Sequence, residues 1–214
     1  MYGLRYLVFC SMCILSSISL AFGAKQRTPR ESIGEGIHVT VKARYDSAFK
    51  QDNTTEQLRT HFQNIFQRVQ GEFYKRFINV TFEVKESEQE EELVVYYDNA
   101  TKLVNGNETL EKLKKEAEAL KEMSSIYYFF SGQQIFENET MLQDGLYTPG
   151  TFCTTDGTAA VLQSMADPRF WMTPYKLTSF MFGSTHSPPR EGEDYRKINE
   201  TFQKCLAPST GTLH

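Results

Sequence analysis

Histidine is scarce in this chain. There are four, His38, His61, His186 and His214, and no two form an H-x-x-x-H pair. Two imidazoles one turn apart on a helix are how a protease helix grips zinc, and the sequence excludes that device. Tryptophan occurs once, at Trp171. No basic block occurs and the formal net charge is −4, which does not suit nucleic acid or heparin as a partner. Past the amino terminus no long apolar run occurs, so no membrane is expected as a partner. Repeats and low-complexity tracts are missing too. Ser164, Ser179 and Ser184 have no helping histidine at a recognisable spacing, so none reads as a nucleophile.

The one long apolar run opens the chain. "MYGLRYLVFCSMCILSSISLAFG" carries Arg5 and then no charge. It ends in Ala21-Phe22-Gly23, with small residues at the −3 and −1 positions of a signal-peptidase site. Residues 1–23 read as a signal peptide and the rest as a secreted, extracellular chain. An uncleaved anchor is the alternative, disfavoured by the serines that interrupt the run. Removing 23 of the 214 residues leaves 191, one domain of ordinary size. Losing Arg5 takes the charge from −4 to −5. Cys10 and Cys13 leave with the signal. Cys153 and Cys205 remain and are expected to pair in an oxidising compartment, an intermolecular bridge being the alternative. Such a bridge closes a loop of about 50 residues and stabilises by about 4 kcal/mol in the chain-entropy model. Six N-x-[ST] sequons, at Asn53, Asn79, Asn99, Asn107, Asn138 and Asn199, fit a glycosylated secreted protein.

Periodicity then gives the elements. Ile37, Val39, Val41, Ala43 and Tyr45 alternate as a half-buried strand. Asp46 to Asn53 reads as a polar loop. Thr54-Thr55-Glu56-Gln57 offers a capping box, and Leu58, Phe62, Ile65, Phe66, Val69 and Phe73 follow at helical spacing. Ile78, Val80, Phe82 and Val84 make a second strand, and strand–helix–strand is a βαβ unit. Lys85 to Glu92 reads as a solvated charged loop, and Leu93 to Tyr97 as a strand. A second helix is expected over Thr109 to Met123, and a buried strand over Ser125 to Gly132. A turn-rich stretch at 145–153, a short strand at "AAVLQ" and helices over 175–182 and Tyr195 to Cys205 complete the chain. The sum is α/β, a mostly parallel sheet with two long helices.

This order resembles the metzincin proteases, specifically the reprolysin-like (adamalysin-type) secreted proteins of tick saliva. The matching pieces are "IHVTVKARYD", "TEQLRTHFQNIFQRVQ", "INVTFEV", "IYYFFSG" and "GLYTPGTFC". The last fits a GLxYxGxxC segment at Gly145 to Cys153, with the family's zinc helix beyond it. Residues 24–36, polar and Gly-containing, read as a flexible lead-in. The resemblance implies a reprolysin-like domain over 37–205, with a tail over 206–214. The family motif H-E-x-x-H-x-x-G-x-x-H-D falls on "KLTSFMFGSTHS". Gly183 and His186 match it. Lys176 and Phe180 stand at the first two zinc histidines, Leu177 at the general-base glutamate and Ser187 at the aspartate. A catalytic zinc needs three protein ligands and an open position for water, and the glutamate takes that water's proton. One ligand of three is left. No methionine follows Met181, so the family's Met-containing turn is missing and the C-terminal subdomain is truncated. Cys153 matches the family's bridging cysteine, with Cys205 as its partner.

The resemblance therefore implies a relative with no catalytic residues and no zinc, acting by binding a host extracellular protein of haemostasis or immunity. One alternative is a divergent zinc metalloendopeptidase with other ligands. Another is a small-ligand-binding lipocalin, which needs about eight strands at hairpin spacing. His186 is expected as an ordinary turn residue, and Asp167 and Asp194 as ordinary loop residues. Phe180, Met181, Phe182 and Trp171 are expected to fill core or cleft.

Overall fold

The structure is a computed structural model, and it describes residues 31–206 apart from 99, 166 and 168. The expected signal peptide with Cys10 and Cys13, the Asn99 sequon, residues 24–30 of the lead-in and residues 207–214 with His214 lie outside the described residues. In chain order the elements are β1 (Ile33–Tyr45), α1 (Ser47–Lys50), α2 (Thr55–Tyr74), β2 (Ile78–Gln89), β3 (Tyr96–Asp98), β4 (Leu103–Asn105) and α3 (Gly106–Leu120). There follow β5 (Ser125–Ser131), β6 (Ile135–Asn138), β7 (Met141–Gln143), β8 (Gly145–Tyr147), β9 (Ala159–Gln163), α4 (Met172–Met181) and α5 (Glu193–Leu206).

A five-stranded sheet has the order β2-β1-β5-β9-β8. Its first four strands are parallel, and β8 pairs antiparallel at the edge. A four-stranded sheet has the order β3-β4-β6-β7, and β5 of the first sheet falls between its β4 and β6 in sequence. The class is mixed α/β. Parallel neighbours and long helices do not make the closed hairpin barrel of a lipocalin, so that alternative fails on topology.

The central strand explains its own apolar sequence. Every residue of β5 is buried. Ile126, Tyr128 and Phe130 join the core under α2, while Tyr127 and Phe129 join the core under α3. A parallel strand covered on both faces has no polar side to present. On the first face α2 is set by a complete capping box between Thr54 and Gln57. It lays Leu58, Phe62, Ile65, Phe66, Val69 and Phe73 on the sheet, each 1% exposed or less. Full burial of such side chains is worth about 1.5–3 kcal/mol each. Phe62 meets Phe130 at 4.6 Å, Phe49 at 5.6 Å and Tyr45 at 6.0 Å between ring centres.

Several sequence expectations need correction. The loop expected over Asp46 to Asn53 contains α1, because Asp46 folds inward. It is 1% exposed, caps Phe49 N–H at 2.7 Å, and takes bonds from Ser131 Oγ at 2.5 Å and Gly132 N–H at 3.0 Å. The lead-in expected to end at 36 is already strand from Ile33. The charged loop expected from Lys85 is the continuation of β2 to Gln89. Its carboxylates face two buried cations of β1. Arg44 Nη2 lies 2.9 Å from Glu86 and 3.0 Å from Glu116, and Lys42 Nζ lies 3.1 Å from Glu86 and 3.0 Å from Glu122. The strand expected from Leu93 begins only at Tyr96, after a 3-10 turn at Glu91–Leu93. The second helix starts three residues early, at Gly106, because the Asn105 side chain caps Glu108 N–H.

Candidate functional site

The stretch Lys176 to Ser187 that was set against the zinc motif lies on α4 and the turn that follows. Pro174 falls in the first turn, where no intrahelical partner awaits its missing N–H. On the inner side, Thr178 donates to Pro174 C=O at 2.6 Å and receives the Tyr128 hydroxyl at 2.6 Å. Burial pushes the Tyr128 phenol up from its ordinary value, and the Thr178 contact opposes that. The "GLYTPGTFC" segment is clasped to the helix end. Gly150 N–H donates to Phe180 C=O at 3.1 Å, and Phe152 N–H to Met181 C=O at 3.4 Å.

The four singled-out positions separate into three environments. Lys176 and Phe180, one turn apart, look outward. Lys176 is exposed, and Phe180 is half-buried and stacked on Tyr147 of β8, with centroids 5.0 Å apart and planes at 21°. Leu177 points the other way. It is 1% exposed and belongs to the core under α2. A Cβ on Gly145 would stand 2.9 Å from Leu177 Cδ1, so a glycine is what lets β8 approach this side chain. His186 comes after Gly183, whose φ of +96° turns the chain out of the helix.

The His186 imidazole is tied to α5. Its Nδ1 lies 2.9 Å from Asp194 Oδ2. Asp194 is 2% exposed and also accepts Thr185 N–H at 2.8 Å, Thr185 Oγ1 at 2.8 Å and Arg190 N–H at 2.9 Å. Burial alone would raise its pKa, but the bonds from Arg190, Thr185 and His186 outweigh it and hold the carboxyl well below the usual carboxylate range. Asp194 was expected as an ordinary loop residue, and that is corrected: it is the buried acceptor that shapes the Ser184–Arg190 turn. Its sequence signal was the acidic pair Glu193-Asp194 opening a helix, where carboxylates are favoured. His186 is likewise more than an unattached turn histidine.

Zinc does not fit these residues. Lys176 and Phe180 supply no ligand and Leu177 supplies no base. With His186 Nδ1 bonded to Asp194, only its Nε2 is left as a donor, one ligand where a catalytic zinc needs three. His38 sits on β1 beside Thr81 Oγ1 at 2.7 Å, and His61 sits on α2 against Phe49 and Phe62. Burial lowers the His61 pKa, and its Nε2 is enclosed without a hydrogen-bond partner. Among the described residues, no three His, Cys, Asp or Glu side chains gather as metal ligands. Asp167 pairs with Arg169 at 2.6 Å, and Trp171 is half-buried with the Arg68 guanidinium 5.2 Å from its ring centre.

Cys153 and Cys205 are bonded to each other, with sulfurs 2.05 Å apart. Of the described sequons, Asn107 and Asn138 are exposed, while Asn53, Asn79 and Asn199 are half-buried.

No family model matches the chain, and no curated protein matches it. Among solved structures it is similar to metalloproteinase-II from Bacteroides fragilis, with 12% identity and a TM-score of 0.49. That similarity covers 82% of this chain and 55% of the other, so this chain spans about half that protein's length. A chaperone-substrate complex is similar at 4% identity and a TM-score of 0.48, over 73% of this chain and 24% of the other. Both likenesses are shallow, and the functional reading rests on the chain's own residues.

Proposed function

We propose that this chain is a secreted, non-catalytic protein built on a metalloprotease-like scaffold, and that it acts by binding a host extracellular protein of haemostasis or immunity. The observation that carries the reading is Leu177. At the position of the motif's general base stands a core side chain, 1% exposed and packed against Gly145. A base must reach the water that it deprotonates, and a leucine in a closed core offers neither a proton acceptor nor access. The flanking Lys176 places an ammonium where a dication would be held, and like charges at short range repel. Phe180 presents a ring, stacked on Tyr147, in place of a second imidazole. The host partner follows from the resemblance to salivary reprolysin-like proteins, and secretion from the amino-terminal sequence.

The test is metal content and hydrolysis. Protein secreted from eukaryotic cells should hold far less than one zinc per chain by elemental analysis. It should leave a mixed peptide library intact, with or without chelator. One zinc per chain, or cleavage that a chelator stops, overturns the proposal and favours the divergent metalloendopeptidase.

A further inference from the structure

A groove runs between the start of β1 and one face of α5. Its volume is about 290 Å³, and its lining includes Ser32, Ile33, Glu35, Asn199, Gln203 and Leu206. The α5 contributors Asn199, Phe202, Gln203 and Leu206 recur at i, i+3, i+4 and i+7, so a single stripe of the helix forms the wall. Gly34 forms the floor. Its φ is +83°, and a Cβ there would stand 2.8 Å from the Phe202 ring, so the glycine is what lets that ring close the bottom.

The groove's chemistry is mixed. Carboxylates at Glu31 and Glu35, the Ser32 hydroxyl and the Gln203 amide line it together with apolar Ile33 and Leu206, and Leu206 is 51% exposed. Acceptors and donors beside a short apolar wall suit a sugar, which presents hydroxyls, an acetamido group and C–H faces. Asn199 opens the sequon Asn199-Glu200-Thr201 and itself lines the groove. A second sequon asparagine stands at the rim, where Asn79 Nδ2 donates to Glu35 Oε1 at 3.4 Å.

We infer that the groove is the bed of an N-linked glycan, in which the innermost N-acetylglucosamine units attached at Asn199 lie against Ile33 and Leu206 and bond to Ser32, Glu35 and Gln203. The attachment supplies the occupant. A sugar fixed to a residue of the wall is present at a high effective concentration, so weak contacts suffice to seat it. This inference rests on the secreted reading.

The experiment is site-resolved removal of glycans from the folded, secreted protein by an amidase that cleaves the asparagine–sugar bond, followed by peptide mass spectrometry. Asn138 is the internal comparison, because Asn138 at the end of β6 and Glu139 and Thr140 in the turn that follows are all exposed. Release at Asn199 should be about tenfold slower than at Asn138, the ratio that about 1.4 kcal/mol of contact gives. After denaturation the two rates should converge. Leu206→Ser, at a half-exposed position, should narrow the difference in the folded protein without unfolding it. Equal native rates overturn the inference, as does a slow Asn199 that Leu206→Ser leaves unchanged. So does protection that disappears with Asn79→Gln, which assigns the groove to the other glycan. Glycans elsewhere with Asn199 unmodified overturn the groove alone. No glycan at any sequon overturns the secreted reading with it.

Discussion

Replacing Leu177 with glutamate puts a carboxyl where the resemblance expects the base, yet the structure predicts that it unfolds the protein before it helps any chemistry. Leu177 is 1% exposed, its Cδ1 faces the backbone of Gly145, and Leu162 lies on the same side of β9. Losing the buried leucine removes about 1.5–3 kcal/mol of apolar burial. The carboxyl must then be ionised in the core or kept neutral. An ordinary glutamate has a pKa of about 4.3, so holding it protonated at pH 7 costs about 1.4 kcal/mol for each of 2.7 units, or about 4 kcal/mol. The sum is about 6 kcal/mol, comparable to the whole stability of a typical domain, about 5–15 kcal/mol.

The sign of the pH dependence separates this reasoning from a simple packing defect. A buried carboxyl has its folded pKa raised, so the folded state keeps the proton longer than the unfolded state. The destabilisation is therefore smallest below about pH 4 and grows as pH rises from there. Leu177→Gln loses the same packing with no titration. Urea melts of both variants at pH 5 and pH 7 should show the glutamate falling relative to the glutamine by about 1.4 kcal/mol per pH unit. A Leu177→Glu protein within about 1 kcal/mol of wild type at pH 7, or a pH-independent gap between the two variants, refutes the core placement and reopens the cleft as a catalytic site. The same cost enters the triple replacement Lys176→His, Leu177→Glu, Phe180→His, which should take up zinc poorly because the helix that carries the ligands is destabilised.

Other perturbations test the rest of the structure. Asp194→Asn halves the accepting oxygens and turns an amide toward four donors, so it should cost about 3 kcal/mol in denaturant melts; a loss under about 0.5 kcal/mol refutes its role. Because the folded Asp194 pKa is depressed, its stabilisation is present above about pH 4 and is lost as pH falls toward the folded value; the asparagine variant should lack that part of the acid transition. Cys205→Ser opens a bridge between residues 52 apart in sequence and should destabilise by about 4 kcal/mol, with an unchanged melt counting against it. Arg44→Met should cost about 3–5 kcal/mol, since Glu86 and Glu116 lose their shared cation; pairing it with Glu116→Gln should recover part of the loss, and no recovery refutes the coupling.

How far the sequence was legible depended on how local the cause was. The capping box at Thr54, the apolar stripe of α2 and the alternation in β1 are written in residues two to four apart, and they could be read. The end of β2 could not. Lys85 to Glu92 has the composition of a solvated loop, and only Lys42 and Arg44, more than forty positions away, make its glutamates strand residues by facing them. Asp46 failed for the same reason, because its partners Ser131 and Gly132 come from the end of β5. At the site, identity was legible and orientation was not. The sequence singled out Lys176, Leu177, Phe180 and His186 together, but treating them as one cleft hid their different surroundings. Helical spacing already separates Lys176 and Phe180 from Leu177, since residues four apart share a face and adjacent ones do not. Which face is the core depends on Gly145 in a distant strand, and which group holds His186 depends on Asp194 in the next helix. Position 177 serves packing, and the pH-dependent cost of placing a carboxyl there measures how closed that packing is.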